Sequence, residues 1–117
     1  MNDRMYIYVL VKEPNRNPVV RKMRNEISSI ERILGGDFDL IEYDPYSFIA
    51  YNYKSRCKRQ VQIGNHLING TILIIGNNPV EGDFRTLTSE QIQDFSKELS
   101  AHNTKVIQEM ECDEDEI

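Results

Sequence analysis

The run Gly70-Thr71-Ile72-Leu73-Ile74-Ile75-Gly76 constrains the fold of this chain more than any other segment. Residues 71 to 75 are apolar on both alternating faces apart from Thr71, the pattern of a strand covered by protein on both sides. Gly76-Asn77-Asn78-Pro79 then stops it with turn-forming residues. Further on, Thr88 and Gln91 have the spacing of a capping box, in which the threonine hydroxyl and the glutamine side chain each satisfy a backbone N–H at a helix start. Leu87 and Ile92 occupy the staple positions that flank it. Ile92, Phe95 and Leu99 continue at spacings of three and four, so one face of a helix over 89–99 is expected to lie on the sheet.

The remaining segments fit around that pair. Met5 to Val11 is β-branched, aromatic and apolar on both faces, and it ends at Glu13-Pro14-Asn15, which predicts a second central strand. Pro18 to Met23 alternates weakly and reads as a returning strand, with the first turn of a helix as the alternative. Asn25 is the expected N-cap of a helix over Glu26 to Leu34, whose Ile27, Ile30, Ile33 and Leu34 share one face, and Gly35-Gly36 supplies its stop. Phe38–Tyr43 and Ser47–Tyr53 form a hairpin about Asp44-Pro45. Gln60-Val61-Gln62-Ile63 has the alternation of a half-exposed edge strand, and Asn69-Gly70 is a favoured hairpin turn before the buried run. Thr104 to Ile107 is either a short edge strand or more helix. The predicted fold class is therefore α+β, a mostly antiparallel sheet of four to six strands with two helices packed against it.

A length of 117 residues supports one domain with one core, placed at 1–103, followed by an acidic tail at 104–117 that is expected to be frayed. With 39% hydrophobic residues the core is thin, which implies a modestly stable domain or one helped by a dimer. The net charge of −5 disfavours a general nucleic-acid binder, and acid is concentrated at Glu109, Glu111, Asp113, Glu114, Asp115 and Glu116. Cys57 and Cys112 are too few and too scattered for a disulfide framework or a zinc site, and His66 and His102 have no partner at ligand spacing. No metal and no cofactor is expected. The longest apolar run is far short of a membrane span, and the N-terminus lacks a signal-peptide pattern, so the expected location is a reducing cytoplasm.

Taken in order, Leu34-Gly35-Gly36 at a helix end, Asn52 after a strand, Asn65 in a loop, Gly70-Thr71 opening an aliphatic strand, then Gly82-Asp83-Phe84, Leu87-Thr88 and Gln91-Ile92 resemble the domain-of-unknown-function family numbered thirty-eight forty-six. The resemblance covers roughly residues 5 to 98. It implies a small protein of a kind found in bacterial genomes, plasmids and phages, and it brings no activity with it. The chain departs from the family's usual pattern in the basic segment between Tyr53 and His66 and in its acidic tail.

That basic segment holds the strongest candidates for function. Tyr51 and Tyr53 precede Lys54, Arg56, Lys58 and Arg59, so two rings that can stack lie beside cations that can hold phosphates. The plain alternative is a solvated loop whose charge keeps an exposed turn soluble. A second constellation, Asn65, His66, Asn69, Gly70, Thr71, Asn77, Asn78 and Asp83, surrounds the ends of the buried run, where a small polar ligand can sit; ordinary turn chemistry explains the same residues. No nucleophile or carboxylate is tied by spacing to His66. The expected function is a non-enzymatic binding or inhibitory accessory protein of a phage or mobile element, sequestering a host protein or a small polar ligand. The alternative is a nucleic-acid-binding accessory protein using the 54–59 loop.

Overall fold

The computed structural model describes residues 5–100 and the backbone of 104–106. Among them the elements run β1 (Tyr6–Lys12), β2 (Val19–Arg24), α1 (Ile27–Leu34), β3 (Asp39–Asp44), β4 (Ser47–Tyr51), β5 (Arg59–Ile63), β6 (His66–Asn69), β7 (Ile72–Asn77), β8 (Phe84–Arg85), α2 (Ser89–Glu98) and β9 (Thr104–Val106). The fold is α+β. A six-stranded main sheet has the order β2-β1-β7-β4-β3 with β8 also on β7, and a three-stranded sheet has the order β6-β5-β9. Every strand pair is antiparallel.

All six residues of β7 are buried, as its two-faced apolar pattern requires. Leu73 and Ile75 join Ile7, Val9, Val11, Met23, Ile30 and Leu34 on the side that α1 covers. Ile72 and Ile74 join Leu10, Ile49, Val61, Ile63, Ile68, Phe95 and Leu99 on the opposite side, under α2 and the small sheet. The docked helix α2 starts as its sequence dictates. Gln91 N donates to Thr88 Oγ1 at 3.0 Å and Thr88 N donates to Gln91 Oε1 at 2.9 Å, completing the capping box.

β1 does not follow β7 along its whole length. Its register with β7 is confined to Leu10–Lys12 against Ile74–Ile72, while Gly76 and Asn77 pair with Arg85 and Phe84 of β8. Tyr8 N donates to Thr86 Oγ1 at 2.8 Å, and Leu87 N donates to Tyr8 O at 3.0 Å, so residues 84–87 fill the gap between the two diverging strands. A Cβ at Gly76 would lie 2.6 Å from Arg85 O, which only glycine avoids. At the other end of β1, Lys12 is fully buried and donates from Nζ to Arg16 O; loss of solvent lowers its pKa.

Three local expectations are corrected. Asn25 is not the N-cap of α1. Glu26 occupies that position with no side-chain cap bond, and Asn25 Nδ2 instead donates to Phe84 O at 3.4 Å, using its amide to hold β8. Gln60–Ile63 is not an edge strand throughout, because β9 pairs with its second side at Gln60 and Val61; alternation reports which face is wet, and says nothing about how many neighbours a strand has. Asn69-Gly70 is not a hairpin turn. The hairpin turns at Gly64-Asn65, with Ile63 opposite His66, whereas Gly70 at φ 87° carries the chain from the small sheet to the main one, under Ser55 Oγ at 2.6 Å from its would-be Cβ. Val19–Arg24 is the strand that the alternation of Pro18–Met23 favoured, and Thr104–Val106 pairs as a strand on β5. His102 and the acid-rich residues 109–116 lie outside the described residues.

The small sheet is tied to α2 by one carboxylate. Glu98 Oε2 accepts from Gly64 N at 2.7 Å and Oε1 accepts from the Tyr43 hydroxyl at 3.5 Å, while the Tyr43 ring meets Phe95 edge-on at 5.4 Å. Burial, and then the Glu98 charge, raise the Tyr43 pKa above its ordinary value of 10.0.

Ile74→Ala is expected to cost about 2–5 kcal/mol through the cavity it leaves, measured by urea unfolding. Thr88→Ala is expected to cost about 1 kcal/mol by removing one half of the capping box. A raised phenol keeps its proton longer in the folded state, so its stabilisation holds below the ordinary tyrosine value and is lost as pH rises through the folded one. Glu98→Gln removes the charge and one of the two acceptors, leaving a single amide oxygen beside an NH2 donor; an absorbance titration should find Tyr43 ionising at lower pH, with the alkaline loss of stability complete earlier.

Candidate functional site

The small sheet stands over the end of β4, and a cleft of about 460 Å³ opens where they meet. Its floor is apolar and aromatic. Ile41 and Tyr51 reach it from β3 and β4, and Ile68 from β6, all three packed into or against the core cluster on that side of the main sheet. Its rim is polar: Asn52, Tyr53 and Ser55 on one side, Gln60, Asn65, His66 and Asn69 on the other.

Local hydrogen bonds build both walls. Where β4 ends, Asn52 Oδ1 accepts from Lys54 N at 2.8 Å while Asn52 Nδ2 donates to Leu34 O at 3.2 Å, fastening the turn to the end of α1. Ser55 N donates to Asn52 O at 3.0 Å, and Ser55 Oγ accepts from Cys57 N at 3.2 Å, so this hydroxyl already has a structural task. Across the cleft, Gln60 Nε2 donates to Asn69 Oδ1 at 3.0 Å, holding two cross-strand amides in one plane of the wall.

The residues singled out from the sequence separate into two groups here. Tyr51, Tyr53, Asn65 and His66 come together as lining of the cleft. Tyr51 is half-buried on the floor, and Tyr53 is 52% exposed at the mouth. Lys54, Arg56, Lys58 and Arg59 do not line it. Lys54 Nζ lies 3.4 Å from Asp37 and 5.7 Å from the centre of the Tyr53 ring, a surface ion pair beside an aromatic edge. Arg56 and Lys58 are exposed, and Arg59 is half-buried as the first residue of β5 with its Nε unpaired.

The polar constellation is divided as well. Asn65, His66 and Asn69 belong to the cleft, but Asn77, Asn78 and Asp83 lie at the far end of β7, where they make turns. Asn77 Nδ2 donates to Pro45 O at 2.9 Å, Asn78 Oδ1 accepts from Val80 N at 3.0 Å, and Asn78 N donates to Asp83 O at 2.9 Å. Ile41, Gln60 and Leu67 were not singled out by sequence reasoning. For Gln60 and Leu67 the signal was alternation, since residues on one face of β5 and β6 share a wall.

Stacking area comes from two phenol rings, hydrogen-bonding capacity from four side-chain amides, and the lining holds no carboxylate. His66 has no hydrogen bond to a hydroxyl, thiol or carboxylate among the described residues. No group of three or more His, Cys, Asp or Glu able to hold a metal occurs among them, nor does a helix long and apolar enough to cross a membrane.

Neither the curated proteins nor the solved structures contain a match to the chain. One family model does match, over residues 5–100, and that span takes in both sheets' walls of the cleft and both helices. The chain belongs to the family described as Domain of unknown function (DUF3846).

Proposed function

We propose that this protein is a non-enzymatic binding protein that holds a small polar ligand, one with a ring to stack, in the cleft between β4 and the small sheet. It would act as an accessory protein of a phage or mobile element, sequestering that ligand from the host. The observation that carries the reading is the convergence of Tyr51, Tyr53, Asn65 and His66 on one cavity of about 460 Å³, within the size range of small-molecule sites. An aromatic floor with a rim of amides orients a ring and satisfies its polar edge. A binding role without turnover is favoured by the engagement of Ser55 in its own turn and by the lack of a proton-relay partner for His66.

Native mass spectrometry of the purified protein tests this directly. The wild type is expected to carry a co-purifying mass, or to acquire one from a host metabolite extract. Tyr53→Ala with His66→Ala changes two side chains outside the buried core, so the melting temperature should hold while the bound mass is lost. Removal of the stacking ring is expected to weaken binding about 5- to 150-fold. Equal retention by the variant would place the ligand elsewhere, and conversion of the bound compound on standing would overturn the non-enzymatic reading.

A further inference from the structure

A second surface lies on the opposite edge of the main sheet, and it does not depend on the cleft. In the β1–β2 hairpin Tyr6 stands opposite Arg24 and Tyr8 opposite Lys22. Directly opposed residues share a face, so two rings and two cations occupy the same side of the hairpin. Leu10, next along that side, is fully buried, whereas Tyr6 and Tyr8 are 43% and 47% exposed; the cover over the sheet ends between Tyr8 and Leu10. Lys22 Nζ and the Arg24 guanidinium lie 5.1 and 5.3 Å from the centre of the Tyr6 ring.

The other side of β2 is basic too. Arg21 faces α1 across a hollow of about 620 Å³ whose lining includes Lys22, Arg24 and Arg32 and no carboxylate. Arg24 is paired with Glu26 at 3.0 Å. Arg21, Lys22 and Arg32 make no salt bridge among the described residues. Glu26 acts on Arg32 through space and Glu13 lines a smaller hollow with Arg21, yet three cations without a direct ion pair on one edge of a chain whose net charge is −5 suit an anionic partner. The rings narrow the choice. Tyr6 and Tyr8 are two residues apart on one strand, which sets them roughly 7 Å apart, a spacing that successive bases of an extended strand can span. A duplex keeps its base faces stacked inside, and an acidic peptide has no faces to offer.

We propose that the β1–β2 hairpin and its junction with α1 bind single-stranded nucleic acid, with bases on Tyr6 and Tyr8 and phosphates on Arg21, Lys22 and Arg32. This moves the nucleic-acid reading away from the 54–59 loop, whose cations neither line this hollow nor flank an uncovered sheet face.

Fluorescence anisotropy with a labelled oligothymidylate of about 12 nucleotides, within the site sizes of single-strand binders, tests the assignment on the full chain. Binding is expected at low salt, falling steeply as salt is added. Replacing Arg21, Lys22 and Arg32 together by Gln should flatten the salt slope by about two units, roughly 0.7 for each phosphate that is no longer neutralised. Tyr8→Ala should weaken binding about 5- to 150-fold with the slope unchanged. Tyr8→Leu, which keeps apolar cover and removes only the ring, should do the same if the alanine variant proves unstable. Arg56→Gln with Lys58→Gln should change nothing. The proposal is overturned by absence of binding at tens of micromolar protein, by equal binding of the same-sequence duplex or of polyglutamate, or by a loss that follows Arg56 and Lys58 in place of the hairpin.

Discussion

Burial of β7 from both sides is the constraint on which the rest of this structure depends. Four consecutive aliphatic side chains, Ile72 to Ile75, divide between two clusters, so neither cluster is complete without the strand and neither covering layer has a core of its own. A chain with 39% hydrophobic residues has few other ways to assemble an interior. α1 supplies the cover on one side. On the other, α2 and the small sheet share the layer, the sheet contributing Val61, Ile63 and Ile68.

The cleft follows from that division of labour. The small sheet must seat its apolar side on Ile41, Ile49 and Tyr51, yet it is joined to the main sheet by the 52–58 turn and by Gly70, each with fixed geometry. Two layers held at their margins meet imperfectly at the end of β4, and the polar faces of β5 and β6 line the space that remains. The site thus lies where packing between two sheets gives out, bounded by well-held backbone on both sides, an arrangement that suits recognition by preformed walls.

Much of this was legible in the sequence. The two-faced run at 71–75, the capping box at Thr88 and Gln91 and the Asp44-Pro45 hairpin are local signals, each fixed by residues within a few positions of one another, and each is found as written. Tyr51, Tyr53, Asn65 and His66 were also readable as candidates, although their meeting in one cavity depends on β5 and β6 folding back over β4. What was not legible is long-range. β9 beside β5, residues 84–87 wedged against β1, and the conversion of Asn25 from a cap to a tether for Phe84 all join segments far apart in sequence. Alternation in Gln60–Ile63 could reveal a buried face, but strand neighbours are decided by which distant segment arrives, and no local pattern encodes that. Where the cations gather in space is likewise not local: charge density in sequence is highest at 54–59, whereas Arg21, Lys22, Arg24 and Arg32, from β2 and α1, share one hollow.

The wedge formed by residues 84–87 gives the two halves of β1 different mechanical fates. Leu10 to Lys12 belong to the ladder with β7 and open only when the whole sheet does. Tyr6 to Tyr8 are joined on that side through the Thr86 hydroxyl and the Leu87 amide, to a segment that is itself anchored by two residue pairs on β7 and one side-chain bond from Asn25. Release of this short insert would withdraw Phe84 and Leu87 from the two sides of the core and loosen the N-terminal half of the hairpin, where Ile7 is held under α1, while the ladder behind it stays closed. Amide exchange in this part of β1 is expected to follow such a sub-global opening. The exposed tyrosine face thus moves together with Ile7 and the α1 side of the core, and not with the ladder that Leu10 and Ile74 hold shut.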